Sequence, residues 1–447
     1  MRKFCAIVLC KLLRLIGKAV GKGSSLPGQI ALKICPDILR QVQLPPVIIA
    51  VTGSNGKTST VEMIARVLQK AGKKIAYNKE GSNQIEGVTS LILHDCTLSG
   101  KCRSEILLIE SDERYARYTF RQFQPTHFVI TNLYRDQLTR NGHPLWVFEA
   151  IRQAIPRDGL LFLNADDPLV SAFGIDHKNT VYFGMDRQSF STEQNTGVYD
   201  DGAYCPICGG KMVYDFRHYN HIGSYRCTVC GYHRHDPDDR ITDADLKNGI
   251  LTINGKDRIR LAFRSIYNGY NILACYTLCS RIGIDPETIT ESISDYVLKN
   301  GRVVEFRLGD AHGTLLTSKH ENSVSYDQSL RYIGQQPEPH AVLVLVDAVS
   351  RKYFTSETSW LWDINFSQLD VPQTEHVYLL GRYAYDLAVR FSFTSLPPEK
   401  FSVHPSIPEG LEEIRKHGHT RLYAVTCFSD RDKLLRRVEK LETEEKQ

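Results

Sequence analysis

The run VTGSNGKTST, residues 51–60, decides how the rest of the chain reads. It follows the apolar run PVIIAV, which reads as a buried strand. It precedes TVEMIARVLQKAG, whose apolar residues recur at helical spacing and close on a glycine. A loop between a strand end and a helix N-terminus favours an anion, through its backbone N–H groups and the helix dipole. Lys57 can then reach β- and γ-phosphate oxygens, and Thr58 offers a hydroxyl to magnesium. The expected nucleotide contacts are Gly53, Ser54, Asn55, Gly56, Lys57, Thr58 and Ser59. The spacing departs from the usual one, since Gly53 and Gly56 are only three apart. As an exposed loop side chain, Lys57 is expected to contribute little to stability.

The chain has 447 residues, more than one core usually serves, so two or three domains are expected. Lys and Arg number 55 against 51 Asp and Glu, a balance too even to announce a nucleic-acid surface. No apolar run is long enough to span a bilayer. The N-terminal MRKFCAIVLCKLLRLIGKAV lacks a clean small-residue cleavage site and is broken by Lys11 and Arg14. It reads as an amphipathic helix, packed on the protein or resting on a membrane surface.

Four of the 12 cysteines form two knuckles, CPICG (Cys205, Cys208) and CTVCG (Cys227, Cys230), 18 residues apart. This spacing fits a zinc ribbon with a structural, tetrahedral four-cysteine zinc. The nearby His218, His221, His233 and His235 are expected on the ribbon surface, since four thiolates fill the shell. The other cysteines sit in apolar contexts and read as core residues in a reducing compartment.

From residue 47 onward, VIIAVTG, EILLIES, THFVITN, GLLFLNAD and the weaker KKIAYN alternate with helical stretches such as 58–71 and 143–155. That alternation predicts a mostly parallel sheet covered on both faces, with functional loops at the strand C-termini. The ribbon interrupts it at 200–236, after which GILTING, RIRLAF and a helix through NGYNILACYTLCSRIG follow. A second α/β set, VVEFRL, TLLTSK, AVLVLVDA, HVYLLG and RLYAVTC, ends in a charged helix expected to fray. Residues 24–46, with SSLPG, CPD and LPP, read as a punctuated connector.

The strand ends carry the candidate chemistry. Glu110 and Asp112 alternate on one strand end, so both carboxylates should point the same way, beside the loop and toward magnesium. ITNLYRDQLTRNGH offers Asn132, Arg135, Asp136, Gln137 and Arg140, with Asp136 able to orient a metal ligand or fix a neighbouring side chain.

VTGSNGKTST, GSNQIEGVTS, LLIESDE, VITNLYRDQLTRNG, LNADDP, the CPxCG ribbon and YNGYNILA resemble, in order and spacing, the MurT family of the Mur ligase superfamily. The match covers most of residues 18–300. It continues more loosely through TSWLWDINF (358–366) and LLGRYAYDLAVR (379–390). The resemblance implies a Mur ligase-type central P-loop ATPase domain over 46–300 with the inserted ribbon. A helix and connector (1–45) would precede it, and a partner-binding, Rossmann-like α/β domain (301–447) would follow. It implies a cytoplasmic ATP-dependent carbon–nitrogen ligase, with the inner face of the cell membrane as a second expected location. The ligase would amidate the D-glutamate α-carboxylate of the lipid II stem peptide, with ammonia from a GatD-type glutaminase. Lys57 and Glu110, with ATP and magnesium, would be the catalytic groups; Asn268 and Asn271 would lie near the nucleotide. Asp363, with Glu357 second, would complete the glutaminase site across the subunit interface.

Several family loops are altered. The expected KNPAG-like loop reads SKHENSVS (318–325), Asp347 stands where an Asn is expected, and a TYT-like motif reads VTCFSD (425–430). These departures keep two other readings open: a Mur-type amino-acid ligase without a glutaminase, and an ATP-binding paralogue that has lost turnover.

Overall fold

The computed structural model describes residues 1–19, 25–78, 82–136, 141, 143–262, 264–297, 303–319, 321–348 and 357–444. The chain divides into two compact units. One comprises Met1–Tyr134, His143–Thr196 and Asp200–Val297; the other comprises Arg135–Gly142, Gly197–Tyr199 and Leu298–Gln447.

In the first unit the apolar runs become strands β1 (Val47–Thr52), β2 (Ile75–Tyr77), β3 (Ile106–Glu110), β4 (His127–Ile130), β5 (Leu160–Asn164) and β6 (Thr180–Met185). The chain then leaves the sheet for a hairpin, β7 (Met212–Tyr219) and β8 (Ile222–Cys227). It returns as β9 (Asp239–Asp245), β10 (Ile250–Ile253) and β11 (Asp257–Arg260). Among the described residues these form a nine-stranded sheet in the order β11-β10-β9-β6-β5-β4-β1-β3-β2, the hairpin standing apart. All neighbours pair in parallel except β9–β10 and β10–β11, which are antiparallel. Because β6 and β9 are direct neighbours, the ribbon is an excursion that leaves the sheet order intact.

Central strands such as β1 bury nearly every residue, as a sheet covered on both faces requires. On one face Ile48, Ala50, Leu107, Ile109, Phe128, Ile130, Leu161 and Leu163 meet the N-terminal helices and helix Ile85–Asp95. On the other lie helices Lys57–Lys70 and Ile266–Arg281, packed together. The segment read as a connector is largely helical: Leu26–Ile34 has Pro27 in its first turn, where the missing N–H costs nothing, and buries Pro27, Gly28 and Ala31. Gly28 is needed there, since a Cβ would stand 1.9 Å from the Glu86 carbonyl oxygen.

The second unit has its own sheet, built from β12 (Val303–Leu308), β13 (Ala311–Ser318), β14 (His340–Leu345), β15 (Thr374–Leu380), β16 (Phe401–His404) and β17 (Arg421–Cys427). The order is β12-β13-β17-β14-β15-β16, parallel except at the β12–β13 edge. Separate apolar cores lie on its two faces, one with helices Ser323–Gly334 and Ala384–Phe391, the other with Ile407–His417 and Phe428–Glu444. The charged terminal helix is anchored by Leu434 and Val438, both buried, so it is held along much of its length rather than frayed.

Candidate functional site

Residues 53–56 turn sharply between β1 and helix Lys57–Lys70. Gly53 (φ +135°) and Gly56 (φ +84°) occupy backbone conformations that side-chain-bearing residues rarely adopt. A Cβ at Gly53 would stand 2.3 Å from Thr131 Oγ1, and one at Gly56 would stand 2.0 Å from Asn271 Oδ1. The two glycines thus let the loop close onto the end of β4 and onto the helix that carries Asn268 and Asn271.

The segment after β4 holds the loop in shape. Ser54 N donates to Asn132 O (2.9 Å), Asn55 N to Asn132 Oδ1 (2.8 Å), and Asn132 Nδ2 back to Asn55 O (3.1 Å). Thr131 Oγ1 donates to Asn55 O (2.7 Å), while Ser54 Oγ and Tyr134 exchange two bonds. Asn132 is therefore a loop brace, and the Asn55 amide is spent inside the protein. Thr60 N makes the first helical bond, to Gly56 O, and the amides of Gly56, Thr58 and Ser59 find no acceptor among the described residues. Three open donors at a helix N-terminus favour an anion.

Lys57 is buried, not exposed as the sequence suggested. Its ammonium donates to Gly53 O, Ser54 O (3.3 Å) and Glu113 Oε2 (2.8 Å). Glu113 is the residue the sequence reading missed. β3 ends at Glu110, and the turn that follows carries the acid three residues on to Lys57. The run IESDE contained the signal, but strand alternation picked out Glu110 and Asp112.

Glu110 ends β3, and Asp112 lies beyond the strand. Asp112 lies in the turn, where its Oδ1 accepts from Arg114 N (3.0 Å). Glu110 is buried, with its backbone bonded on both sides by the Asn78 amide, and its carboxylate takes no hydrogen bond among the described residues. A buried carboxylate without a protein donor suits a cation, and Glu110 stands in register with Val51 of the neighbouring strand β1. The Thr58 hydroxyl likewise takes no hydrogen bond among the described residues; a hydroxyl and a carboxylate are the oxygen donors that suit magnesium.

The four ribbon cysteines converge as expected: all their Sγ atoms lie within 4.8 Å of one another. Cys205 and Cys230 Sγ are 3.7 Å apart, and Cys208 and Cys227 Sγ are 3.5 Å apart. A tetrahedral zinc with bonds of ~2.3 Å needs sulfur–sulfur spacings near ~3.8 Å, so the set fits zinc. Backbone amides of Ile207, Gly210, Val229 and Cys230 point at the sulfurs, and those of Cys230 and Val229 hold the Cys227 thiol below its usual pKa. Two histidines expected on the ribbon surface are in fact core. His218 and His221 are buried under the hairpin, near Asp166 and Asp167; His233 is exposed, and His235 stacks on Tyr182.

The hairpin reaches the loop's supports. Tyr219 Oη meets Tyr134 Oη at 2.5 Å, and its ring lies 4.2 Å from that of Tyr267, beside Asn268. Asp166 takes Arg234 Nε (2.6 Å), Tyr270 Oη (2.5 Å) and Met185 N (2.7 Å). Asp167 caps helix Pro168–Ser171 and accepts from Leu133 N (2.8 Å). These strand-end acids are structural.

In the second unit Asp136 is buried and paired with Lys319, and it accepts from Asn322 Nδ2 (2.8 Å). The altered SKHENSVS loop therefore still grips this acid, and Asn322 also caps its helix through Ser325 N. Gln137 and Arg140 lie outside the described residues. Asp363 closes a short 3-10 turn, Ser359–Asp363, and Arg135 Nη1 sits 3.3 Å from its Oδ1. Glu357 Oε1 accepts from Ser359 N (2.7 Å), which lowers its pKa. Trp360 is buried, but Trp362 is 45% exposed, edge-on to Phe393, which is 69% exposed.

Residues 51–233 match the family model described as the Mur ligase middle domain, and residues 320–430 match that of the MurT ligase C-terminal region. The chain is 33% identical over 399 residues to the MurT subunit of a lipid II isoglutaminyl synthase (glutamine-hydrolyzing) from Staphylococcus aureus strain COL, covering 89% of each. It is 30% identical over 421 residues to that of Streptococcus pneumoniae strain R6, covering 92% of this chain and 91% of the relative. Among solved structures it resembles a pseudomurein peptide ligase type C from Methanothermus fervidus, with a TM-score of 0.69 and 19% identity over 91% of this chain and 81% of that one. It also resembles MurF from Acinetobacter baumannii, with a TM-score of 0.64 and 15% identity over 92% of this chain and 80% of that one. These likenesses give the architecture as an α/β Mur-ligase-superfamily fold.

Proposed function

Because the chain belongs to the MurT family, we propose that it is the ATP-dependent synthetase subunit of a lipid II isoglutaminyl synthase. It would convert the D-glutamate α-carboxylate of the stem peptide to the amide, with ammonia from a GatD-type glutaminase. A carboxylate is a poor electrophile and must first receive a leaving group. Attack of a carboxylate oxygen on the γ-phosphorus of ATP gives an acyl phosphate and ADP. Ammonia then adds at the acyl carbon, phosphate leaves, and a proton is lost to solvent.

One observation carries this reading: the open amides of Gly56, Thr58 and Ser59 share one helix start with the buried Lys57, and the neighbouring strand β3 ends on the buried Glu110, in register with Val51. In this reading residues 53–59 are a P-loop. Lys57 exchanges Glu113 for phosphate oxygens, neutralising charge where it grows during transfer. Magnesium, when bound by Thr58 and Glu110, would offset further phosphate charge. Asn271, against Gly56, and Asn268, one turn earlier, would line the nucleotide. The four cysteines would hold a structural zinc.

We assign the ATP chemistry to residues 46–300 and partner binding to a Rossmann-like domain, 301–447. Trp362, Tyr385, Val389 and Phe393 support the second assignment, since each is exposed and large apolar side chains grouped on a surface mark an interface. Asp363 lies next to Trp362 and is the acid we assign to the partner's glutaminase site.

The test is reconstitution of the chain with a GatD-type glutaminase, lipid II, ATP and glutamine, followed by mass analysis of the lipid. Replacement of one hydroxyl by an amino group, dependent on both proteins, supports the reading. Unchanged lipid with intact ATP would overturn it.

A further inference from the structure

The N-terminal helix Arg2–Ala19, RKFCAIVLCKLLRLIGKA, is apolar on two opposite sides. At 100° per residue, Ala6, Ile7 and Cys10 share one side, and all three are buried against the helices that follow. Phe4, Val8, Leu12, Leu15 and Ile16 recur at three- and four-residue spacing on the other. Of these, Phe4 (52%), Leu12 (51%), Leu15 (62%) and Ile16 (60%) are exposed. From residue 4 to residue 16 the outer stripe runs about 18 Å at 1.5 Å per residue. A surface helix ordinarily shows polar residues there, so a helix apolar on both sides needs a cover.

We propose that this cover is the surface of an anionic lipid bilayer, in which the helix lies flat with Phe4, Val8, Leu12, Leu15 and Ile16 in the acyl region. Charge selects this occupant over a protein groove. The helix contains five basic residues and no acidic one. Lys11 Nζ donates to His94 O (2.8 Å) at the seam between helix and protein body, while Arg14, on the packed side with Ile7 and Cys10, donates from Nη1 to Ser90 O (3.2 Å). That seam is where headgroups meet a helix immersed by one face. The loop flanking the helix start carries Leu98, also exposed, and its Gly100 lies against the Lys3 side chain. No helix among the described residues is long and apolar enough to cross a membrane, so the contact is interfacial. The argument rests on the helix alone and does not depend on the amidation reading. It would, however, bring the enzyme to the surface that holds a lipid-borne substrate.

The test is co-sedimentation of the full chain with vesicles of phosphatidylcholine alone or mixed with phosphatidylglycerol. The chain should pellet with the anionic vesicles and be released by salt. The triple variant Leu12→Asn, Leu15→Asn, Ile16→Asn changes only exposed positions. It should keep the melting temperature and lose vesicle affinity by at least about tenfold. Ile175→Asn, at an exposed apolar position outside this helix, should bind like the unmodified chain. Failure of the unmodified chain to bind anionic vesicles would overturn the proposal, as would undiminished binding by the triple variant. So would a dimer that the triple variant dissolves without any vesicle binding, since a second copy would then be the cover.

Discussion

Lys57 Nζ and Glu113 Oε2 form a buried ion pair at 2.8 Å, with both side chains at most 9% exposed. The pair ties the loop of residues 53–56 to the turn after β3. Removing one partner of a buried pair leaves a charge without compensation, at a cost of roughly 3–5 kcal/mol. Lys57→Ala should therefore abolish ATP-dependent turnover and also lower the melting temperature. Glu113→Gln should lower the melting temperature and show a larger stabilisation by magnesium-ATP than the unmodified chain, because phosphate would then replace the missing carboxylate. Equal nucleotide-induced shifts in a thermal melt would contradict this role for Glu113.

Metal analysis should find about one zinc per chain, held by Cys205, Cys208, Cys227 and Cys230. Cys227→Ser should lose the zinc and expose the hairpin to protease. The hairpin also carries Tyr219, whose hydroxyl meets that of Tyr134 behind the loop. Tyr219→Ala should therefore raise KM for ATP more than it lowers kcat. A change in kcat alone would place the ribbon's influence elsewhere.

The buried Asp327 gives a pH signature. Burial pushes its carboxyl from 3.8 up to about 7, with the Asn365 amide and the Arg390 charge opposing. A folded pKa above the unfolded one means full stability below pH ~4 and progressive loss as pH rises through ~7. Asp327→Asn keeps an acceptor for Asn365 N and removes the titration. Its melting temperature should exceed that of the unmodified chain at pH 8 and converge with it toward pH 4. Parallel curves across that range would show that Asp327 is not the group responsible.

Asp363→Asn should lose glutamine-dependent amidation in the reconstituted complex and recover it with supplied ammonia, since carboxylate activation would still run on Lys57. The nearby Arg135 would remain to position the segment. If the complex assembles and ammonia fails to rescue, Asp363 serves the synthetase reaction or folding.

How much of this the sequence made legible follows from what each residue must satisfy. The strands of the sheet centres, such as VIIAVT and the AVLVL of β14, are apolar because both faces are covered, and they read directly. β9, DRITDAD, lies where the parallel set gives way to antiparallel β10; its half-polar pattern hid it. The cysteine spacing gave the ribbon, because metal geometry constrains sequence locally. Glu113 stayed hidden because its partnership depends on where β3 ends and how the next turn folds. His218 and His221 misled for a related reason: the hairpin folds back onto Asp166 and Asp167, turning an inserted segment's polar residues into core.

The measurement that bears most directly on the central claim follows the substrate's own oxygen. Lipid II labelled with heavy oxygen in the D-glutamate α-carboxylate should be amidated by the complex with ATP and ammonia. Activation as an acyl phosphate predicts one labelled oxygen in inorganic phosphate for each amide formed, and none with Lys57→Ala. Amide formed while the released phosphate carries no label would contradict the account.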